Sequence, residues 1–83
     1  MYRVVLRRKA HKQLEKIPEP FHGRLWKVID ALRTDPFRGK KMEGEFEGCR
    51  CISIKPYRII YVVEKKEVTV FILKVGHRQG VYK

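Results

Sequence analysis

Four side chains in the last third of the chain have types and spacing that suit chemistry on a phosphate group. Arg58 lies between two tyrosines in an apolar run, and a second apolar run ends at His77 and Arg78. Tyr82 follows four residues after Arg78. A guanidinium stays charged and matches phosphate geometry, and an imidazole with a pKa near ~6.5 exchanges protons around neutrality. The set predicts phosphodiester chemistry on a polyanion.

RNA is the polyanion that these groups could cleave without a metal, because its 2′-OH is an internal nucleophile. Arg58 and Arg78 would neutralise the phosphorane, and His77 would act as base or acid. Tyr82 would stack on a base or polarise the 2′-OH, and stacking contributes ~1–3 kcal/mol per base. No carboxylate cluster converges on this set, so we expect neither a metal site nor another cofactor.

Each of these residues also has a purely structural interpretation. His77 could hydrogen-bond a carbonyl at a strand end. Arg58 could form an ion pair with Glu64 or Glu67. Tyr82 could be a buried anchor for the end of the chain.

Size and charge narrow the class of protein. Eighty-three residues predict a single domain, 1–83, with one modest core. Twenty Lys and Arg against nine Asp and Glu give a net charge of +11, which indicates nucleic acid, an acidic protein or an anionic surface as partner. The alternative is that these charges only solubilise two helices.

No apolar stretch reaches the ~20 residues of a membrane span, and no signal peptide is evident, so we expect no membrane partner and a cytoplasmic protein. Cys49 and Cys51 are expected to be reduced packing residues.

The elements that must position these residues follow from the apolar pattern. It predicts a strand over 2–7, helices over 8–17 and about 19–34, a mobile surface loop over 35–48, and strands over about 49–55, 57–64 and 67–76. Both connections between the last three strands are short, so these strands should form an antiparallel meander. The second helix carries an apolar stripe, and we also expect Trp26 to lie in the core.

Strand alternation assigns the two faces of the sheet. If Ile52 and Ile54 meet the helices, Cys51 and Ser53 lie on the opposite face, and Arg58 joins them there. The predicted fold is α+β: an N-terminal strand, a two-helix hairpin and a three-stranded antiparallel meander. These form a four-stranded, largely antiparallel sheet with the helices on one face, and the other face is open and basic.

These residues resemble the RelE/ParE superfamily of toxins from type II toxin–antitoxin systems. The resemblance rests on four segments in order: Lys41-Met42-Glu43-Gly44, Tyr57-Arg58-Ile59-Ile60-Tyr61, Val75-Gly76-His77-Arg78 and Val81-Tyr82. The length and the Gly-His-Arg segment are more similar to the RelE branch. That branch implies a ribosome-dependent, metal-independent mRNA endonuclease that arrests translation. Alternatives are a ParE-like inhibitor of DNA gyrase, or a weakened member that only binds antitoxin or nucleic acid.

The resemblance also implies roles for individual residues. Arg58 matches the catalytic arginine, Arg78 the second active-site arginine and Tyr82 the C-terminal tyrosine that contacts the cleaved nucleotide, while His77 lies where many members carry histidine or lysine. Active members usually carry basic residues where this chain has Cys51 and Ser53. The implied partners are the ribosome, mRNA and a small acidic RelB-like antitoxin that forms a hetero-oligomer with the toxin.

Further basic residues are predicted to contact RNA or phosphate. In the loop and meander, these are Lys41, Arg50 and Lys55, with Arg50 expected to point toward the helices. Near the first helix, they are Arg7, Arg8, Lys9 and Lys12, for which a solvated helix face is the alternative.

Overall fold

The structure is a computed structural model that describes residues 1–78. Its strands are Arg3–Leu6 (β1), Lys40–Lys41 (β2), Arg50–Ile54 (β3), Tyr57–Glu64 (β4) and Thr69–His77 (β5). Its helices are Arg8–Glu15 (α1) and Phe21–Ala31 (α2), and a short 3₁₀ turn covers Gly44–Phe46. Within residues 1–78, no helix is long and apolar enough to cross a membrane.

One five-stranded sheet has the strand order β1-β5-β4-β3-β2. β1 runs parallel to β5, and all other pairs are antiparallel. The α+β class and the meander are therefore confirmed, with one strand more than predicted. The extra strand is β2, which lies in the segment predicted to be a mobile loop, because two residues are too short to show an alternating pattern.

The two helices cover one face of the sheet with a continuous apolar layer. The buried core consists of Ala10, Leu14 and Ile17 from α1 and the turn after it, Leu25, Ile29 and Leu32 from α2 and its end, and Ile59, Tyr61, Val70, Ile72 and Val75 from β4 and β5. Both helices are shorter than predicted. The prediction for Trp26 was wrong: its side chain is 38% exposed, and its indole N–H donates to Nε2 of His22 at 3.3 Å.

A bulge in β5 determines which of its residues reach the core. Ile60 pairs with Lys74 and Tyr61 pairs with Ile72, so Leu73 is an extra residue on β5. Strict alternation would place Val75 on the face opposite Val70 and Ile72. Because the extra residue shifts the pattern by one, Val75 joins the core.

The face turned away from the helices carries Arg58, as predicted, but it is not fully open. Ile60 is completely buried, although it alternates with core residues and lies outside the core cluster. Its cross-strand partner Lys74 has its Nζ 5.2 Å from the ring centroid of Phe46 in the 3₁₀ turn. The loop before β3 therefore covers part of this face.

Candidate nucleic-acid interface and active site

Arg58 and Arg78 meet beside the turn between β3 and β4. Arg58 pairs with Ser53 on one side and Gly76 on the other. The backbone N–H of Arg78 donates to the carbonyl of Pro56 at 2.8 Å, which fixes the chain directly after β5 on that turn. One small pocket is lined by both arginines, with Ser53, Lys55, Pro56 and Tyr57. The structure thus brings the two guanidinium groups of the predicted site together and places Lys55 beside them.

A larger groove extends from Arg58 across the sheet toward β2. Its volume is about 600 Å³, and it is lined by Arg38, Gly39, Lys40, Lys41, Met42, Glu43, Cys51, Ile52, Ser53 and Arg58. Four of these side chains are cationic and one is a carboxylate. Since Arg58 lines both cavities, the groove and the small pocket form one basic surface, which we call the Arg58 surface.

Arg38 and Lys40 in this surface were missed by the sequence analysis. Lys40 pairs with Cys51 across the β2–β3 ladder, so its side chain shares the face of Cys51. The available signal was the basic run at residues 38–41, but without β2 that run had no assigned face. Cations thus lie next to Cys51, a position where the resemblance expects a basic side chain.

A buried tyrosine fixes the backbone that carries these two residues. Tyr61 is fully buried, and its hydroxyl donates to the carbonyl of Pro36 and accepts from the N–H of Gly39, both at 2.9 Å. A Cβ on residue 39 would lie 2.6 Å from the Tyr61 hydroxyl oxygen. Only glycine fits there, which explains why the segment before β2 is anchored rather than mobile.

Arg50 reinforces the same anchor from β3. Its Nη1 donates to the carbonyls of Phe37 and Gly39 at 3.0 and 2.8 Å, and its guanidinium carbon lies 5.1 Å from the ring centroid of Phe37. Its cross-strand partner is Tyr61, which packs in the core. The predicted phosphate-binding Arg50 therefore lies on the helix side of the sheet and contacts backbone carbonyls.

The environment of Tyr61 also affects its ionisation. Burial raises the pKa of the phenol above its ordinary value, and the Gly39 N–H and the charge of Arg50 oppose this in part. The phenol therefore keeps the proton that it donates to Pro36. Burial similarly raises the pKa of the Cys49 thiol, which favours its neutral form.

The structure does not bring His77 into the Arg58 surface. His77 pairs with Tyr57, and the two rings meet edge to face with centroids 6.0 Å apart. Tyr57 packs on the core and contacts Phe21 of α2 at 5.3 Å between centroids, so His77 lies on the helix side. Tyr82 lies outside the described residues.

The sequence of the chain also matches a known protein family. Residues 4–82 match the family described as the ParE toxin of the type II toxin–antitoxin system parDE. The chain belongs to this toxin family. The match spans nearly the whole chain and includes the positions of Arg58, Arg78 and Tyr82.

Individual relatives are similar to this toxin over nearly their whole length. A protein from Methanocaldococcus jannaschii described as "Putative toxin RelE1" is 28% identical, with 99% of this chain and 96% of the relative aligned. The RelBE2 toxin–antitoxin complex from Mycobacterium tuberculosis contains a chain with a TM-score of 0.84 and 29% identity, covering 93% of this chain and 98% of that one. The archaeal RelE–RelB complex from Pyrococcus horikoshii gives 0.81 and 28%, covering 95% and 97%. The predicted resemblance to the RelE/ParE superfamily is confirmed.

The remaining predicted phosphate contacts of the toxin lie apart from the Arg58 surface. Arg8, Lys9 and Lys12 line a separate cavity of about 510 Å³ on α1, with Gln13 and Lys16. Arg7 lies with its guanidinium carbon 5.4 Å from the ring centroid of Phe71. The toxin thus has a second basic surface, on its first helix.

Metal ligands are not grouped in the part of the toxin that the structure describes. Among residues 1–78, no group of three or more His, Cys, Asp or Glu side chains could hold a metal ion. Cys49 and Cys51 are both free thiols.

Proposed function

We propose that this toxin is a metal-independent endoribonuclease that cleaves messenger RNA on the ribosome and so arrests translation. The observation that carries the proposal is the pocket shared by Arg58 and Arg78, which continues into a groove with three more cations. A single RNA strand suits this arrangement, because a phosphate held at the mouth of the pocket by the two arginines would leave its neighbours along the groove. Likeness to RelE structures at 26–29% identity supports the same branch.

The two arginines supply the main catalytic effect in this proposal. The 2′-OH loses its proton and its oxygen attacks phosphorus, which adds negative charge to the phosphoryl oxygens. The bond from phosphorus to the 5′-oxygen then breaks, and that oxygen takes up a proton as it leaves. Two fixed guanidinium groups stabilise that charge more than they stabilise the ground state, and loss of one such donor typically lowers the rate by about 10²–10³-fold. Lys55 lines the same pocket and adds positive charge beside the leaving oxygen or the attacked phosphate.

His77 and Tyr82 have different roles in this proposal. His77 packs against Tyr57 on the helix side, so the geometry favours a supporting role for it over general acid–base catalysis. Tyr82, four residues after Arg78, is the residue we assign to stacking on the base or polarising the 2′-OH.

Production of the toxin alone in a reconstituted translation system tests the proposal. We expect cuts in ribosome-bound mRNA, mapped by primer extension, and their loss with Arg58→Ala or Arg78→Ala. Arg24→Ala, an exposed change on α2 with the same loss of charge, is the control and should cleave like the parent. Arginine variants that arrest translation as well as the parent would contradict the mechanism.

We also propose an acidic antitoxin as the partner, in a cytoplasmic hetero-oligomer. Toxins of similar structure occur in complexes with RelB antitoxins. A net charge of +11 favours an acidic, partly disordered segment that neutralises the basic surfaces. Co-expression with a small acidic protein encoded by a neighbouring reading frame should yield a stable complex. Failure of the two proteins to co-purify at low salt would count against this partner.

Inhibition of DNA gyrase is the second candidate. Two observations favour it: the matching family is described by its ParE toxins, and neither Cys51 nor Ser53 is basic. A supercoiling assay at saturating toxin decides between the two. Unchanged gyrase activity together with mRNA cuts would exclude this candidate.

A further inference from the structure

The groove adds three cations to the pocket at Arg58 and Arg78. One of them, Lys41, pairs with Arg50 and shares its face of the sheet, which leaves Arg38 and Lys40. Arg38 and Lys40 line the groove on the β2 side, opposite Arg58. Among residues 1–78, Glu43 is the one carboxylate in the lining, and the strand beneath contributes the neutral side chains of Cys51 and Ser53. The positive charge at this end therefore comes from the segment before β3, not from β3 itself.

This segment is held in place from the opposite side of the sheet. Tyr61 and Arg50 together contact the carbonyls of residues 36, 37 and 39 and the N–H of residue 39. The two flanking cations, Arg38 and Lys40, leave the backbone beside these contacts. The backbone that carries them is therefore held in place before any ligand binds, and preorganisation of this kind lowers the entropic penalty of binding.

We propose that Arg38 and Lys40 form a second phosphate-binding subsite for a single RNA strand, and that Tyr61 and Arg50 are positioning residues for it. The inference rests on the proposed function, since it takes RNA as the occupant of the groove. One phosphate lies at Arg58 and Arg78, and a further phosphate of the same strand lies at Arg38 and Lys40. The guanidinium fork of Arg38 suits a phosphate, and Lys40 adds a point charge beside Cys51.

Binding of a fluorescently labelled 2′-O-methyl RNA oligonucleotide, followed by anisotropy over a range of salt concentrations, tests the subsite. This probe lacks the nucleophile, so binding is measured whether or not the toxin cleaves RNA. For Arg38→Gln/Lys40→Gln we expect about tenfold weaker binding and a salt slope reduced by about 1.4, which corresponds to two lost phosphate contacts on a single strand.

Arg24→Gln/Lys27→Gln removes the same charge from the exposed face of α2 and is the matched control. The control should keep the parent's salt slope. Equal loss in both double variants would overturn the subsite, and so would a parent that does not bind the probe. A groove variant that loses affinity for an oligoglutamate peptide but keeps the parent's RNA slope would also overturn it, in favour of an acidic protein segment. Cleavage by the parent together with any of these results would leave the proposed function intact.

A double-mutant cycle tests the positioning role. Tyr61→Phe should weaken RNA binding about threefold to tenfold in the parent and leave the Arg38→Gln/Lys40→Gln variant unchanged, because its effect acts through those two side chains. Equal weakening in both backgrounds would overturn the positioning role. If Tyr61→Phe does not fold, as judged by circular dichroism, Arg50→Met removes the other half of the anchor and is read in the same way.

Discussion

Tyr61 connects the core of the toxin to its basic groove. Its ring lies among the apolar side chains under the helices, while its hydroxyl makes two hydrogen bonds to the segment before β2. A phenylalanine would pack equally well but would leave the Gly39 N–H and the Pro36 carbonyl without this partner. The loss of a buried hydrogen-bond partner typically destabilises a protein by about 1–3 kcal/mol.

The ionisation of Tyr61 predicts a decrease in stability at high pH. Since burial raises its pKa in the folded state, the folded chain holds this proton more tightly than the unfolded chain. The contribution to stability is complete below the ordinary pKa of about 10 and is lost as pH rises through the folded-state value. We therefore expect Tyr61→Phe to unfold at lower urea concentration than the parent at pH 8, with the difference narrowing above pH 10. A constant difference from pH 8 to 11 would contradict this.

Replacing Gly39 by alanine should destabilise the fold through a steric clash, and a control glycine separates this effect from the change in backbone entropy. In Gly39→Ala the new methyl would lie 2.6 Å from the hydroxyl oxygen and 2.9 Å from a ring carbon of Tyr61. We expect a loss of about 1–3 kcal/mol in the free energy of unfolding, measured by chemical denaturation. Gly23→Ala in α2 is the control, because the nearest atom to its methyl would be an oxygen of the flexible Glu19 side chain at 3.1 Å. It should be neutral or stabilising by up to about 1 kcal/mol. Equal stability of the two variants would contradict the steric argument.

At the scale of elements, β5 is the strand that joins β1 to the rest of the sheet. It pairs with β1 on one side and β4 on the other, and its bulge at Leu73 directs Val75 into the core. β1 ends at Leu6, so the β5 edge beyond that point needs another partner. Gln13 of α1 supplies it: its side-chain oxygen accepts the N–H of Val75 at 2.9 Å.

This contact predicts different effects for two substitutions of similar size. Gln13→Met removes the acceptor and should lower the free energy of unfolding by about 1–3 kcal/mol. It should also speed amide hydrogen exchange at Val75. Gln13→Glu keeps an acceptor and should preserve protection of that amide. Lys12→Met, one residue earlier and exposed, is the control. Unchanged exchange at Val75 in Gln13→Met would contradict the role of this contact.

The sequence predicted the helices and strands whose apolar periodicity extends over several residues. Alternation placed Arg58 on the face of Cys51 and Ser53, because β3 and β4 each contain several residues of regular strand. It could not predict that Val75 reaches the core, since one bulged residue reverses the alternation. It also missed β2, and therefore Arg38 and Lys40. That strand is defined by its pairing with β3, and the segment before it is held by Tyr61 and Arg50, so neither can be recognised from residues 36–41 alone. The helical stripe was predicted, but Trp26, which is not part of that stripe, was wrongly assigned to the core from its apolar character alone.

At the scale of the whole molecule, two basic surfaces, the Arg58 surface and the surface on α1, contain ten of the twenty Lys and Arg residues behind the net charge of +11. Long-range attraction from such a surface accelerates encounters with an acidic partner. Salt screens this attraction over a Debye length of about 10 Å at 0.1 M.

This charge predicts how the toxin associates with its proposed antitoxin. The association rate constant, measured by stopped flow, should fall steeply as salt rises from about 0.05 to 0.5 M, while the dissociation rate should change less. A fragment of the antitoxin with its acidic residues neutralised is the control and should show little salt dependence. A salt-independent association rate for the native antitoxin would contradict electrostatic steering.

The parallel pairing of β1 with β5 has a consequence for the order of assembly during synthesis. Arg3 and Thr69 are 66 residues apart in the chain yet lie side by side. The antiparallel hairpins can form from near neighbours, but β1 must wait with its edge unpaired until β5 leaves the exit tunnel. We therefore expect the sheet of a nascent toxin to remain incompletely closed until β5 has been translated.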